Sequence, residues 1–245
     1  MMGMTGSVDA VFFDAGQTLI YVYPSVGSVY SEVARLHGVN ADPQKLQDAF
    51  RAEWRRAAEM RPAEPPFASD FTSEQAERAW WREMVANVFT LHPGLKTFSN
   101  QFDAFFDDVF RHFAKPEAWR VYEDVTPTLD RLRQAGIPCA VVSNWDSRLP
   151  ILLEQLGLLP YFAFVLTSAE IGCAKPDPRI FEAAVARLNV APERTLHIGD
   201  SAVDDAAGAH GAGLRPILID REARYTGEYP RLTTLTDLPN VLGLD

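Results

Sequence analysis

Four short polar clusters in this chain could act together on an anionic group. They are Asp14-Ala15-Gly16-Gln17-Thr18-Leu19, Ser143-Asn144, Gly172-Cys173-Ala174-Lys175-Pro176-Asp177, and Gly199-Asp200-Ser201-Ala202-Val203-Asp204-Asp205. Between them they supply a carboxylate nucleophile, a hydroxyl and amide pair, a cation and a carboxylate cluster. A carboxylate is a weak nucleophile, but taking up a transferred group covalently splits one difficult step into two. A lysine offsets negative charge as it develops, and grouped carboxylates suit a hard divalent cation. Singly, each cluster has a plainer role. Asp, Ser and Asn cap turns, and a lysine before Pro-Asp suits a solvated surface. The chemical reading therefore depends on all four clusters being brought to one place.

The elements between the clusters provide for that. Val8 to Phe13 is an apolar run ending at Asp14, and similar runs recur at Ile137 to Val142, Phe162 to Leu166, Leu196 to Ile198 and Pro216 to Ile219. Short apolar runs of this kind read as buried parallel strands. Helical patterns lie between them. One is expected to open with Thr126 as cap and Pro127 at the first helical position, and to close at Gly136. Another opens at Asp177-Pro178 and carries Ile180, Phe181, Ala184, Val185 and Leu188 at helical spacing. Strands alternating with helices predict an α/β fold, a doubly wound parallel sheet. In such sheets ligands bind outside the carboxyl ends of the strands, where all four clusters fall.

Residues 23–115 break the alternation, with helical patterns and no convincing strand. Val26, Val29, Tyr30 and Val33 form one stripe, and Asp42-Pro43 opens a second helix bearing Leu46, Phe50 and Trp54. Arg61 to Phe71 is proline-rich and reads as a loop. Thr72 and Gln75 form a capping-box pattern ahead of Trp80, Trp81 and Met84. Phe102, Phe105, Phe106, Val109, Phe110 and Phe113 mark a fourth helix. These aromatics read as the core of a small helical domain. The expected organisation is an α/β core of residues 1–22 and 116–245, with an all-helical domain of residues 23–115 inserted after the first strand.

Composition narrows the partners. The chain has 245 residues, 47% hydrophobic and 23% charged, an ordinary globular balance. A net charge of −10 argues against nucleic acid, which attracts basic surfaces. Cys139 and Cys173 form no metal-binding pattern and read as small buried residues. No apolar run approaches the ~20 residues of a membrane span. Met1 to Val8 lacks the basic and apolar regions of a secretory signal, so a cytoplasmic location is the expectation, as a monomer or homodimer.

The four clusters, in this order, resemble the motifs of the haloacid dehalogenase superfamily over nearly the whole chain. Ser143-Asn144-Trp145-Asp146, Gly199-Asp200-Ser201 and Asp205-Ala206-Ala207-Gly208-Ala209 are similar to its rhythmically-expressed-gene-2-like branch. The resemblance implies a Mg²⁺-dependent hydrolase acting on a small phosphorylated substrate. Asp14 would be the nucleophile and would become an aspartyl phosphate. Asp14, Asp200 and the Gly16 carbonyl would hold the metal, with Asp205 as a ligand or its supporting partner and Asp204 the weaker candidate. Ser143 and Lys175 would be catalytic, and Thr18 and Asn144 would meet substrate. The helical insert matches the family's cap, which is expected to close over the strand ends and to set the substrate.

One position departs from the family pattern. Its phosphatases carry a second aspartate two residues after the nucleophile, to protonate the leaving group and then activate water. Here that residue is Gly16, which can do neither. Neighbouring Gln17 is neutral, and His37, His92 and His112 are the histidines of the insert. Losing general acid–base help of ~10²–10⁴-fold predicts weak activity. Three alternatives follow: a haloacid dehalogenase, a phosphonate hydrolase using an insert lysine (Lys45, Lys96 or Lys115), or a silent protein that keeps a phosphate and metal site.

Overall fold

A computed structural model describes residues 7–60, 72–90, 98 and 101–244. The expected loop at 61–71, His92 and Lys96 lie outside the described residues. The chain falls into two compact units, one of Met1–Tyr21, Phe71–Ser73 and Val121–Asp245, the other of Val22–Asp70 and Glu74–Arg120.

In chain order the strands are β1 (Ala10–Phe13), β2 (Ile20–Val22), β3 (Trp119–Val121), β4 (Cys139–Ser143), β5 (Phe162–Thr167), β6 (Thr195–Gly199), β7 (Arg215–Ile219) and β8 (Arg231–Leu232). Among the described residues, six of them form a sheet in the order β5-β4-β1-β6-β7-β8, every pair parallel. β1 is central. The chain builds outward to β4 and β5 on one side, then returns to β6, β7 and β8 on the other, so the strand order reverses beside β1. Phe13 stands level with Val141 of β4 and Ile198 of β6. The residues just past these positions therefore emerge side by side, where α/β sheets bind ligands. β2 and β3 pair in a separate two-stranded sheet where the chain leaves and re-enters the α/β unit. Neither strand is evident from sequence, each being three residues long.

The helices are α1 (Val26–Leu36), α2 (Pro43–Met60), α3 (Glu74–Thr90), α4 (Phe102–His112), α5 (Val125–Gln134), α6 (Arg148–Gln155), α7 (Ser168–Ile171), α8 (Pro178–Leu188), α9 (Gly208–Gly211) and α10 (Leu238–Val241). Helix α8 starts as expected, with Pro178 in its first turn and the Asp177 side chain accepting from the Arg179 amide. Helix α2 likewise begins at Pro43, and Asp42 accepts from the Lys45 amide.

Two expected helix starts are corrected. Helix α5 begins at Val125 with Asp124 as its cap residue, rather than at Thr126-Pro127, and the Asp124 side chain makes no capping bond. Its carboxylate is instead taken by Arg221, Thr234 and the Leu235 amide. Helix α3 begins at Glu74 and not directly after Thr72.

In the α/β unit, Ala10, Phe12, Ala140, Val142 and Leu166 of the sheet bury one face against Ile180, Phe181 and Ala184 of α8. The helical unit has its own core, in which Val29, Tyr30 and Val33 of α1 join Leu46, Val85, Val88, Phe89, Phe105, Phe106 and Val109. The expected aromatic stripe of α4 contributes Phe105, Phe106 and Val109 to that core, with Phe102, Phe110 and Phe113 packed on its margin. Cys139 and Cys173 are free and buried. No helix among the described residues is long and apolar enough to cross a membrane.

Candidate active site

Asp14 follows the last residue of β1, and its amide donates to the Ile198 carbonyl of β6 at 2.8 Å. Its carboxylate accepts at Oδ1 from Ser143 Oγ at 2.9 Å and from Lys175 Nζ at 2.7 Å. Ser143 ends β4, so two adjacent strands set this contact directly. Lys175 lies on the loop before α8 and needs other support. Asn144 supplies it: its Oδ1 accepts from the Lys175 amide at 2.7 Å, and its Nδ2 donates to the Lys175 carbonyl at 3.0 Å. Both ends of the Asn144 amide are thus occupied in holding Lys175.

Lys175 Nζ also donates to Asp205 Oδ1 at 2.5 Å. Asp205 sits in a single π-helical turn, Ala202–Ala207, the kind of local widening that recurs at functional sites. Its Oδ1 takes a further bond of 2.8 Å from His197 Nε2, and its Oδ2 one of 2.9 Å from the Ser201 amide. The approach depends on Gly199, because a Cβ there would fall inside the Asp205 carboxyl group.

His197 is missing from the sequence-derived site. It is fully buried on β6, its ring edge-on to Phe181. Burial lowers its pKa, with Asp205 opposing, which favours the neutral ring. An ionised carboxylate can only accept, so Nε2 carries the proton. Nδ1 is then a buried acceptor without a partner among the described residues. A histidine inside an otherwise apolar strand run is the signal that could have pointed to it.

These charges lie close enough for each to shift the others' ionisation. Burial raises the Asp14 pKa, and Lys175 pulls against it more strongly than Asp205 adds to it. Burial also opposes ionisation of Asp205, but Lys175 and His197 outweigh it and hold the carboxyl far below the ordinary range. Lys175, though buried, is kept protonated by Asp14 and Asp205. Asp200 is exposed as a residue, yet its carboxyl stands among enough protein to be desolvated. That, followed by repulsion from Asp14 and Asp205, raises its pKa well above the usual value.

Asp14, Asp200 and Asp205 each offer a carboxylate oxygen within 4.8 Å of the others. Three converging carboxylates, two of which resist ionisation, fit a hard divalent cation such as Mg²⁺. Both Asp205 oxygens already accept hydrogen bonds, so of its two expected roles the supporting one suits it better. Asp204 gives its amide to Ser201 Oγ at 3.0 Å.

The other expected residues are distributed less evenly. Thr18 has no exposed surface, and its hydroxyl has no partner among the described residues. Its backbone carbonyl accepts from Arg221 at 2.7 Å. At Gly16 an added Cβ would meet only the Trp145 ring, at 3.6 Å. In the helical unit, His37 pairs with Asp108 at 2.8 Å and packs on Phe98 and Phe105. His112 is partly buried, which lowers its pKa. Lys45 and Lys115 are exposed.

Comparison with known proteins identifies the family. The family model described as haloacid dehalogenase-like hydrolase matches residues 8–213. Haloacid dehalogenase-like hydrolase domain-containing protein 3 of Mus musculus is 36% identical over 209 residues, covering 84% of this chain and 80% of that protein. The rhythmically expressed gene 2 protein of Drosophila melanogaster is 28% identical over 220 residues, covering 87% and 83%. A phosphoserine phosphatase of Thermus thermophilus is 27% identical over 234 residues, covering 87% and 89%. Among solved structures, a phosphatase of this superfamily from Thermococcus onnurineus superposes with a TM-score of 0.67 at 24% identity, covering 97% of this chain and 99% of that one.

Proposed function

The chain belongs to the haloacid dehalogenase-like hydrolase family, in its rhythmically-expressed-gene-2-like branch, and from that premise we propose that it is a Mg²⁺-dependent phosphatase of a small metabolite, with Asp14 as nucleophile. The observation that carries the reading is the Asp14 carboxylate, bound by Ser143 and Lys175 within 4.8 Å reach of Asp200 and Asp205.

One Asp14 oxygen attacks phosphorus, the ester oxygen departs, and an aspartyl phosphate forms on Asp14. Water then attacks that phosphorus, its bond to Asp14 breaks to return the carboxylate, and inorganic phosphate leaves with the water's oxygen, the surplus proton passing to phosphate or solvent. Lys175 holds Asp14 in line and offsets charge on the phosphoryl oxygens, while Ser143 donates a hydrogen bond to the same region. Asp205, tied by His197 and Ser201, orients Lys175. Asp14, Asp200 and the Gly16 carbonyl would hold Mg²⁺, which when bound would offset the repulsion between the phosphate and these carboxylates. Substrate choice is assigned to the helical unit as a cap.

Gly16 offers no proton to the leaving group. The reading therefore favours phosphates whose leaving group is stable as an anion, aryl and acyl phosphates above alkyl ones. The dehalogenase alternative leaves the three-carboxylate cluster without a purpose. The phosphonate alternative needs a desolvated lysine for a Schiff base; among the described residues, Lys45 and Lys115 are exposed, while Lys96 lies outside them. The deciding experiment sets aryl phosphate, acyl phosphate, haloacid and phosphonate side by side, with and without Mg²⁺, using Asp14→Asn as the blank. Mg²⁺-dependent phosphate release absent from Asp14→Asn is expected. Halide release independent of metal would replace this reading with dehalogenation.

A further inference from the structure

The turn that carries Asp14, Gly16 and Thr18 is bent sharply. Gln17 has φ +56°, a left-handed conformation that costs a non-glycine residue about 1 kcal/mol or more. Within the turn, the Gln17 amide bonds the Ile20 carbonyl at 2.7 Å, and the Leu19 and Ile20 amides share the Ala15 carbonyl. The carbonyls of Thr18 and Leu19 are left to partners outside it.

Those partners belong to none of the four clusters. Arg221, just past β7, donates through Nη2 to the Thr18 carbonyl at 2.7 Å. The same guanidinium forks onto Asp124 at 2.8 and 3.1 Å and lies over the Tyr122 ring, 3.6 Å from its centre. The Tyr122 amide donates to the Leu19 carbonyl at 3.1 Å, and its hydroxyl to Gln17 Oε1 at 3.2 Å. Asp124 is itself anchored by Thr234 Oγ1 and the Leu235 amide, each at 2.8 Å. A planar cation thus ties the turn to a fixed carboxylate and an aromatic face at once, which the point charge of lysine cannot do.

We infer that Arg221, stacked on Tyr122 and anchored by Asp124, is a positioning residue that holds the Asp14–Thr18 turn in its reactive shape. The inference rests on the reading of Asp14 as a phosphoryl acceptor. Alignment errors of 1 Å can cost about 10²-fold in rate, so the clamp acts on kcat rather than on substrate affinity.

The test compares wild type, Asp14→Asn, Arg221→Lys and Tyr122→Phe with p-nitrophenyl phosphate and Mg²⁺, and follows thermal unfolding of each. Arg221→Lys is expected to lose about 10- to 100-fold in kcat, with KM within about threefold and the fold intact. Tyr122→Phe, which keeps the stacking ring and loses only the Gln17 bond, should lose about three- to tenfold, again in kcat. Wild-type kcat in both variants would overturn the clamp. If Arg221→Lys does not fold, Tyr122→Phe decides alone. If wild type shows no turnover that depends on Asp14, the phosphatase reading has failed separately. Calorimetry with Mg²⁺ alone then judges the clamp: weaker binding in the variants supports it, and unchanged binding overturns it.

Discussion

At the scale of single residues, the proposed chemistry turns on Gly16. Its φ lies outside the left-handed region, and a Cβ there would make only ordinary contact with Trp145. A side chain can therefore be restored without strain. Gly16→Asp should speed alkyl phosphate hydrolysis, by up to about 10²–10⁴-fold if the new carboxyl acts as a full acid and base, with a smaller gain for aryl phosphates. Wild type should show a burst of phosphorylated Asp14 followed by slow turnover. Rapid-quench kinetics with p-nitrophenyl phosphate measures this, and equal alkyl and aryl rates without a burst would assign the acid and base to another residue.

Asp200 gives a second test at this scale. Its pKa is raised in the fold, by desolvation first and by Asp14 and Asp205 next, so its proton is held more tightly folded than unfolded. That contribution to stability is complete below the unfolded pKa and is lost as pH rises through the folded one. At neutral pH and without metal, Asp200→Asn should therefore raise Tm. If the proposed Mg²⁺ site exists, Mg²⁺ should raise the Tm of wild type by binding the native state, and Asp200→Asn should abolish that increase. Scanning calorimetry with and without Mg²⁺ checks both, and a full Mg²⁺ response in the variant would remove Asp200 from the metal site.

At the scale of elements, the site is a joint between strand ends and two irregular turns. β1 and β4 deliver Asp14 and Ser143 by register alone. Lys175 and Asp205 arrive on a loop and a π-helical turn, each fastened by neighbours: Asn144 for the first, His197 and Ser201 for the second. Gly199 permits the close approach of Asp205 to the end of β6. Gly199→Ala should force the π-helical turn away, destabilising by about 1–3 kcal/mol as overpacking does, and should release Lys175 from Asp205. Urea unfolding measures the first effect. A variant as stable and as active as wild type would mean the turn shifts at no cost.

At the scale of the molecule, charge is the open variable. The net charge is −10, and the Lys175 cation at the site is buried between two carboxylates. A net negative field of this kind would repel the proposed phosphorylated substrate, and salt would screen it over a Debye length of about 8–10 Å. With Mg²⁺ saturating, kcat/KM should rise as sodium chloride goes from low to moderate ionic strength. A steady fall would instead reveal local positive steering.

What could be read from the chain alone was whatever depends on local pattern. Apolar runs ending in polar clusters marked the strands and the edge where they deliver Asp14, Ser143 and Asp200, whereas Lys175 arrives on a loop beyond a further short helix, α7. Helical stripes marked the aromatic core of the other unit. Asp177-Pro178 marked a helix start because both halves of that signal are local. Tertiary structure decided whatever depends on partners distant in sequence. Asp124 gave up its capping bond because Arg221, 97 positions away, competes for its carboxylate. The Asn144 side-chain amide was paired with the Lys175 backbone, and the Thr18 hydroxyl was buried. His197 became part of the site only because a π-helical turn brought Asp205 over its strand. Hydrogen-bond partners of buried groups are chosen by the whole fold, since an unsatisfied donor or acceptor away from water costs about 1–3 kcal/mol, and no local pattern records that choice.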